Sequence, residues 1–209
     1  MKNTDQYKCP VGKQGRNVAA AMNRGHKNLT TWGLTFVDIS PESIILDVGC
    51  GGGKTIARLT KLASKGKVLG IDHSAEMVRY SEKVNKKLVE EKRVQIFERS
   101  VVNTGFSDNY FDLVTAFETY YFWPNLQSAF EEIKRILKPK GKFLMTNEMI
   151  KDGVYEVKHA EIIKEAQLCL YPIGDIKKLL ESVGFKDVKV FTKEGSAWNT
   201  VLSYKLGGN

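Results

Sequence analysis

The chain has 209 residues, of which 42% are hydrophobic and 27% are charged, a balance that is ordinary for one folded globular domain. Its formal net charge is +8, but glutamates interrupt the lysine-rich segments, which favours solvated helix faces and makes a polyanion site the less favoured alternative. Three cysteines without a CxxC pair exclude a disulfide framework and give no zinc pattern, so no metal site is predicted.

Neither a targeting segment nor a membrane span is predicted. The first ten residues are polar and lack the apolar core of a signal peptide. The longest apolar runs, such as Ser43–Val48, are as long as a strand and too short to cross a bilayer. Together with cysteines that are expected to be reduced, these features predict a cytoplasmic protein.

Short apolar runs alternate with amphipathic segments along the chain, which predicts βαβ units and a parallel sheet. The predicted elements, in chain order, are helices Asn17–Met22 and Leu29–Ile39, strand Ile44–Val48, helix Lys54–Ser64, strand Lys67–Ile71, helix Ala75–Glu91, strands Val94–Phe97 and Phe111–Phe117, helix Leu126–Leu137, strand Lys142–Asn147, helices Val157–Cys169 and Asp175–Ser182, and strands Val188–Phe191 and Trp198–Tyr204. One domain is predicted over 1–209. It consists of a helical lid (1–40), a core (41–149), a helical insert (150–174), and a closing helix with strands (175–209).

A glycine-rich loop, Gly49–Gly53, follows the first strand. Glycines let the backbone turn tightly and approach a ligand closely, and the helix that follows offers free N–H groups. A phosphate-binding P-loop would need its first glycine where the chain has Val48. A dinucleotide-binding GxGxxG loop would need its last glycine at Lys54 or at Ile56, depending on the register. Neither spacing fits this loop.

The spacing DxGxGxG fits every position, with Asp47, Gly49, Gly51 and Gly53. In this pattern the chain resembles the class I S-adenosylmethionine (SAM)-dependent methyltransferases, in which the loop contacts the methionine part and the ribose of SAM. Because SAM has no phosphate and its sulfonium and ammonium groups are cationic, an acidic residue beside the loop is favourable. Asp72 ends the second strand about twenty residues further on, where an acidic side chain can hold ribose hydroxyls.

Further motifs extend the resemblance to about residues 42–148. Residues 111–114 are similar to the FDxV strand of the family, and residues 131–142 to its E-x-x-R-x-L-K-P-G-G helix and turn, with Lys140 in place of the first glycine. Ser100 occupies the position after the third strand where the family usually has an acidic residue. The resemblance is to the small-molecule methyltransferases of the ubiquinone and menaquinone biosynthesis type.

The resemblance implies a Rossmann-like α/β fold. Helices would cover both faces of a mostly parallel seven-stranded sheet with an antiparallel C-terminal strand, and an N-terminal helical lid would lie over the site. SAM is the implied cofactor, and S-adenosylhomocysteine is its product. The residues expected to contact it are Asp47, Gly49, Cys50, Gly51, Gly53, Asp72, His73, Met77, Ser100, Val101 and Phe117.

An aromatic run, Phe117–Trp123, follows the fourth strand, at the edge where open α/β sheets bind ligands. Aromatic faces attract cations, including a sulfonium or a substrate amine, so Tyr120, Tyr121 or Trp123 is expected to line the site. Adenine methylases of nucleic acids usually carry the motif (D/N/S)-P-P-(Y/F/W) here. Its absence makes nucleic acid the less favoured acceptor.

The N-terminal lid would keep water out of the site and position the acceptor. Its candidate pocket residues are Tyr7, Arg16, Met22, Asn23, His26 and Trp32. His26 is a candidate general base because imidazole titrates near neutral pH, and Tyr120 and Tyr121 are the other candidate catalytic residues. Weaker candidates are Glu118, Glu148 and His159. The insert, with Tyr155 and Tyr171, is expected to form the opposite wall.

These features predict in-line transfer of the SAM methyl group to a small-molecule acceptor. SAM is intrinsically reactive, so the protein mainly supplies proximity and alignment, and a base is needed only if the acceptor must lose a proton. An RNA or protein methyltransferase is one alternative, and a SAM-binding regulatory module without transferase activity is another. The acceptor and the oligomeric state, including a homodimer, are left open.

Overall fold

The computed structural model describes residues 12–207, except the side chains of Lys13, Arg16 and Met22. The strands are β1 Ile44–Val48, β2 Lys67–Asp72, β3 Val94–Glu98, β4 Phe111–Phe117, β5 Leu137–Asn147, β6 Phe185–Thr192 and β7 Asn199–Lys205. The α-helices in this range are α1 Gly12–Gly25, α2 Lys27–Leu34, α3 Lys54–Leu62, α4 Ala75–Val84, α5 Lys86–Glu90, α6 Leu126–Ile136, α7 Tyr155–Lys158, α8 Ala160–Glu165 and α9 Ile173–Val183. A short 3-10 helix follows β4 at Tyr120–Phe122.

The seven strands form one sheet in the order β3-β2-β1-β4-β5-β7-β6. Strands β1 to β5 pair in parallel, and β7 lies antiparallel between β5 and β6. The predicted sheet, mostly parallel with an antiparallel C-terminal strand, is confirmed. The strand order reverses direction at β1 and β4, which are neighbours. The carboxyl ends of these two strands therefore border a crevice where α/β sheets bind ligands.

Apolar side chains cover both faces of the sheet because successive residues of a strand point to opposite sides. Leu46 and Phe143 belong to a cluster with residues of α6 and α9. Ile45 and Leu144 belong to a second cluster, with residues of α3 and with Val37 after α2. Each fully buried side chain of this size contributes about 1.5–3 kcal/mol relative to exposure. Helices are thereby held on both faces, as predicted.

The helix predicted over residues 75–91 is divided into α4 and α5 at Asn85. The Asn85 amide is buried, and its Nδ2 donates hydrogen bonds to the carbonyl oxygens of Gly53, at 3.0 Å, and Ser81, at 2.9 Å. A short polar side chain that bonds to nearby backbone competes with the helical pattern. The break consequently ties the glycine loop to the end of α4.

Strand β5 begins at Leu137, five residues before the predicted start, and α6 ends at Ile136. Leu137 pairs with Phe111 and Lys142 pairs with Leu113, with a register shift between the two pairs. Lys140 lies in this irregular part with a φ of +64°, in the left-handed region that usually favours glycine. The long strand was missed because Pro139 and Lys140 together read as a turn.

The insert contains two short helices, α7 and α8, where one helix was predicted; the chain breaks its helical pattern at His159. Among residues 12–207, none of the helices is long and apolar enough to cross a membrane.

Candidate active site

The glycine loop joins β1 to α3 with its glycines in the left-handed region, at φ values of +69° for Gly49, +46° for Gly51 and +74° for Gly53. The N–H groups of Gly49 and Cys50 both donate to the carbonyl oxygen of Ile71, at 2.8 and 3.0 Å. These bonds fold the loop over the end of β2. The alternating glycines are therefore explained by backbone geometry that other residues adopt at a cost.

Gly53 has a different role from the other two glycines. It precedes α3, and a Cβ atom at this position would come within 2.3 Å of the Ser81 hydroxyl. Gly53 is not among the residues that line the pocket. The prediction that Gly53 contacts SAM is not supported by its position, since this glycine allows α4 to pack closely against the loop.

Asp72 connects the loop to the start of α4. Its carboxylate is buried and accepts hydrogen bonds from the N–H of Gly51, at 2.9 Å, and the N–H of Ser74, at 2.9 Å. Burial raises the pKa of this carboxyl, although the two backbone hydrogen bonds oppose the shift. Ser74 in turn caps α4 by accepting the N–H of Met77, at 3.3 Å. The side chain is thus held at the rim of the loop.

Asp47 lies under the loop at the end of β1. Its side chain is 2% exposed, and the hydroxyl of Thr115 on β4 donates to its Oδ1 at 2.8 Å. Burial, with a smaller contribution from the nearby Asp72 carboxylate, raises the pKa of Asp47 to about 7, even though the Thr115 hydrogen bond lowers it. Two buried carboxylates therefore lie close to the same loop.

A pocket of about 550 Å³ opens at the carboxyl ends of the central strands. This volume is within the usual range for small-molecule sites, about 300–1,000 Å³. Ten of the eleven residues expected to contact SAM line the pocket, and Gly53 is the exception. The ten are Asp47, Gly49, Cys50, Gly51, Asp72, His73, Met77, Ser100, Val101 and Phe117. The structure thus brings together residues from the ends of several strands.

Ser100 borders the pocket on the third-strand side. Its Oγ accepts a hydrogen bond from the N–H of Val102 at 3.4 Å. The neighbouring Arg99 is held by contacts of its own. The Arg99 guanidinium lies 4.5 Å from the ring centre of Phe97 and 4.6 Å from that of Phe106. Arg99 also donates to the carbonyl oxygen of Thr104 at 2.6 Å. This wall is therefore rigid and carries a hydroxyl where the family usually has a carboxylate.

The aromatic run after β4 contributes Phe117, Tyr121, Phe122 and Trp123 to the pocket. Tyr120 does not line it. The Tyr120 ring is 2% exposed and belongs to the apolar core, with its centre 5.0 Å from that of Tyr121. Of the two tyrosines that were candidates, only Tyr121 is positioned to meet a ligand.

Glu118 is the first residue after β4 and has a φ of +61°, an uncommon value for a side chain of this size. Its carboxyl is 5% exposed and accepts hydrogen bonds from the Tyr121 hydroxyl, at 2.6 Å, and from the N–H of Glu148. Burial raises its pKa to about 8; the Tyr121 hydrogen bond opposes this shift, and the Glu148 charge adds to it. Glu118 and His26 both line the pocket, with His26 Nε2 4.0 Å from Glu118 Oε2.

The lid reaches the pocket through α1 and the start of α2. Ala19, Asn23, His26 and Thr30 line the cavity, and Asn23 Nδ2 donates to the carbonyl oxygen of Gly52 at 3.1 Å. Burial lowers the pKa of His26, partly offset by the Glu148 charge. The lid candidate Tyr7 lies outside the described residues, as do the side chains of Arg16 and Met22.

Trp32 does not line the pocket. It contacts Phe36, with ring centres 5.0 Å apart, and Trp198, with ring centres 6.0 Å apart. The prediction that Trp32 meets a ligand is not supported by its position, since its ring packs against the segment between β6 and β7.

The insert forms part of the opposite wall, through residues that the sequence did not indicate. Gln167 and Cys169 line the pocket, whereas Tyr155, Tyr171 and His159 do not. Other lining residues that were missed are Thr55, Arg58, Arg99 and Thr119. Thr55 and Arg58 could have been found from their place on the first turns of α3, directly after the glycine loop. No local signal marks Gln167 and Cys169.

Residues 46–145 match the protein family described as "Methyltransferase domain". The chain is 27% identical over 198 residues to 24-methylenesterol C-methyltransferase 2 of Arabidopsis thaliana. The alignment covers 89% of this chain and 54% of the relative. It is 31% identical over 121 residues to the demethylmenaquinone methyltransferase of Lactiplantibacillus plantarum, covering 57% of this chain and 51% of the relative. The chain spans about half the length of these relatives.

A solved structure of phosphoethanolamine N-methyltransferase 2 from Haemonchus contortus, in complex with phosphomonomethylethanolamine and S-adenosylhomocysteine, shares the fold. The TM-score is 0.72 at 20% identity, and the match covers 86% of this chain and 53% of that chain. These comparisons confirm the resemblance that the motifs predicted and the Rossmann-like fold that it implied.

Proposed function

We propose that this protein binds S-adenosylmethionine in the pocket and transfers its methyl group to a small-molecule acceptor. The observation that carries the proposal is the pair of buried carboxylates, Asp47 and Asp72, beside a glycine loop in the left-handed region at the strand-order reversal. Sequence relatives named for methyl transfer to sterols and demethylmenaquinone support the same conclusion.

The charges around the loop favour a cationic ligand over a phosphate. A phosphate at the N-terminus of α3 would meet the carboxylates of Asp47 and Asp72, and like charges in a partly desolvated site repel strongly. SAM carries a sulfonium and an ammonium, and these positive charges are attracted by the same carboxylates. The acidic residues therefore make a phosphate placed directly on the loop less favourable than the cationic methionine end of SAM.

The lining residues fit the parts of SAM. Asp72, fixed by the N–H groups of Gly51 and Ser74, would accept hydrogen bonds from ribose hydroxyls with its remaining lone pairs. Met77 and Val101 offer apolar contacts, and Ser100 a hydroxyl, on the side where the adenine would lie. Asp47 and the loop N–H groups would then face the methionine end. Bound SAM supplies an activated methyl group on its sulfonium.

The acceptor site would lie at the other end of the pocket. There the aromatic rings of Tyr121, Phe122 and Trp123 meet the lid residue His26 and the buried Glu118. Asn23 of the lid is hydrogen-bonded to the loop, and residues of both the lid and the insert line the pocket, whose volume is about 550 Å³. A small acceptor is therefore favoured over RNA or protein. The cytoplasmic location and the homodimer remain predictions.

The first experiment is a calorimetric titration of SAM and S-adenosylhomocysteine into the wild type and the Asp72→Asn variant. A lost hydrogen bond to a charged group costs about 1.5–3 kcal/mol, so the variant should bind roughly 10–100 times more weakly. Asp175→Asn, at an exposed position at the start of α9, is the matched control and should bind as the wild type does. Folded wild-type protein that binds neither compound would refute the proposal.

A second experiment separates the acceptor classes. The protein is incubated with SAM labelled in its methyl group and with three fractions of a cell extract: total RNA, total protein and deproteinised small molecules. Label should enter the small-molecule fraction alone. Label in RNA or protein would contradict the proposed acceptor class but would still agree with the proposed SAM site. Label in no fraction would favour a regulatory module without transferase activity.

A further inference from the structure

A compact group of ionisable side chains lies at the acceptor end of the pocket. Ligand atoms of His26, Glu118 and Glu148 lie within 4.8 Å of one another. These residues come from three separate parts of the chain: the junction of α1 and α2, the end of β4 and the end of β5. No motif predicted their meeting, and the SAM contacts proposed above do not use them.

The backbone at Glu118 is held in an uncommon conformation that aims its carboxyl at this point. A non-glycine residue in the left-handed region is strained, and such residues cluster at functional sites. The next residue, Thr119, contacts the glycine loop, because a Cβ atom on Gly49 would lie only 2.4 Å from its Cγ2. Glu118 is therefore one residue away from the part of the pocket assigned to the methionine end of SAM.

The spacing between His26 and Glu118 suits a bridging ligand atom. Their nearest atoms, Nε2 and Oε2, are 4.0 Å apart, which is too far for a direct hydrogen bond. One oxygen or nitrogen atom placed beside both can hydrogen-bond to each at an ordinary distance of about 2.8 Å. The Tyr121 hydroxyl holds Glu118 Oε2 in place at 2.6 Å, so the gap has a fixed wall on one side.

A metal ion is the less favoured occupant of this gap. Both oxygens of Glu118 already accept a hydrogen bond, from the Tyr121 hydroxyl and the Glu148 N–H. A metal ion would have to displace the Tyr121 hydrogen bond from Oε2, the oxygen that faces His26. Burial lowers the pKa of His26, which favours the neutral imidazole that can accept a proton.

The surroundings favour a neutral hydroxyl over an ammonium as the bridging group. An ammonium has no lone pair for attack, and it would lie close to the sulfonium of SAM, where like charges repel. The neighbouring Tyr121, Phe122 and Trp123 present aromatic surface to the rest of the acceptor. An aromatic scaffold packs against such rings in offset or edge-to-face arrangements.

We propose that His26 and Glu118 together bind the hydroxyl group of an aromatic acceptor, and that His26 removes its proton during methyl transfer. The acceptor oxygen attacks the methyl carbon, the O–C bond forms as the C–S bond breaks, and sulfur keeps the electron pair to give neutral S-adenosylhomocysteine. The hydroxyl proton passes to His26 Nε2, and Glu118 keeps the oxygen in line. This assignment depends on the SAM site proposed above and adds the class of acceptor.

The test is a titration that is monitored by NMR. The protein carries isotope-labelled histidine and is saturated with S-adenosylhomocysteine. The chain has three histidines, His26, His73 and His159, whose signals can be assigned by single His→Gln variants. The probe is 2-naphthol, and its methyl ether, 2-methoxynaphthalene, has the same rings without the hydroxyl hydrogen. The His26 signal should move saturably with 2-naphthol and not with the ether, while His159, outside the pocket, should not move.

The Glu118→Gln variant should weaken the 2-naphthol response of His26 at least threefold, since it changes the group on the other side of the gap. An equal response to both probes, no response of His26, or a response to 2-naphthylmethylamine in place of 2-naphthol would overturn the assignment. Broadening of the His26 signal by stoichiometric Mn²⁺ with loss of the naphthol response would indicate a metal site and overturn it too. Failure to bind S-adenosylhomocysteine at all would instead count against the proposed function.

Discussion

At the scale of single residues, burial decides the charge of the acidic groups around the pocket. Asp47 and Glu118 are almost inaccessible to water, and desolvation raises their pKa values to about 7 and about 8. A buried charge is costly unless it is paired, so each carboxyl keeps its proton to higher pH than an exposed one. The pocket therefore gains negative charge as the pH rises above neutrality.

The Glu118 carboxyl should make the stability of the protein depend on pH. Because its folded-state pKa lies above the ordinary value of 4.5, its stabilising effect is complete below about pH 4.5 and is lost as the pH rises through about 8. A Glu118→Gln variant stays neutral, so its free energy of unfolding should rise relative to that of the wild type by about 1.4 kcal/mol for each pH unit from about pH 5 to pH 8, and the difference should level off above pH 8. Urea denaturation across this range measures the difference.

The exposed Glu82→Gln change is the matched control for this measurement, and its difference from the wild type should not vary with pH. Parallel curves for Glu118→Gln and the wild type would show that Glu118 has an ordinary pKa in the folded protein.

At the scale of elements, one carboxylate holds the loop after β3 against α6. Oε1 of Glu132 accepts two hydrogen bonds from Thr104, one from its N–H at 2.9 Å and one from its hydroxyl at 2.5 Å. Arg135 forms an ion pair with the same carboxylate. Arg135 also donates to the carbonyl oxygen of Phe106 at 2.8 Å. This network supports the pocket wall formed by Ser100 and Val101, which precede Thr104 in the chain.

Replacing Glu132 should destabilise the protein in a pH-dependent way. Partial burial raises its pKa, but hydrogen bonds from Arg135 and Thr104 outweigh this effect and lower it to about 2. Its stabilisation is therefore present above about pH 4.5 and lost as the pH falls towards 2. Glu132→Gln should reduce the free energy of unfolding at pH 7 by about 1 kcal/mol, a value limited by the partial exposure of Arg135.

Urea denaturation at pH 7 and at pH 3 tests this expectation, with the exposed neighbour Glu131→Gln as the control. The deficit of Glu132→Gln should be smaller at pH 3 than at pH 7. A deficit that is equal at both pH values would mean that the charge of Glu132 does not contribute.

At the scale of the whole molecule, the helical lid packs against the C-terminal part of the sheet. Phe36, after α2, stacks on Phe191 of β6 with ring centres 4.1 Å apart, and Trp32 lies between Phe36 and Trp198. The lid is thereby attached at one end to the C-terminal strands. The lid is also joined to the glycine loop by the Asn23 hydrogen bond. The aromatic cluster lies outside the pocket, whereas Asn23 lines it.

This division predicts that Trp32→Ala lowers stability without weakening cofactor binding. Removing the half-buried ring should reduce the free energy of unfolding by about 1–3 kcal/mol. The dissociation constant for S-adenosylhomocysteine should change less than twofold, because Trp32 does not line the pocket. Asn23→Ala should show the opposite pattern, with a roughly two- to tenfold weaker complex from the lost hydrogen bond.

Thermal unfolding and calorimetry on both variants provide the two readouts. If Trp32→Ala weakened binding more than Asn23→Ala did, the position of the lid would depend on the aromatic cluster, and the two functions could not be separated.

The sequence by itself determined the fold and most of the proposed cofactor site. Hydrophobic periodicity predicted the seven strands, and the lack of a glycine at Val48, Lys54 and Ile56 excluded the P-loop and dinucleotide registers. Asp72 was found for the same reason, because the ends of neighbouring parallel strands meet at one edge of the sheet. These features depend on short-range backbone geometry, which a few consecutive residues decide.

Only the tertiary structure decided which other residues reach the pocket. His26, Glu118 and Glu148 are far apart in sequence and meet because α1, β4 and β5 end at the same place. Tyr120 and Tyr121 are neighbours of the same type and both belong to the buried core, yet only Tyr121 also lines the cavity. The raised pKa values likewise depend on desolvation by distant parts of the chain. Local sequence carries no record of these long-range contacts.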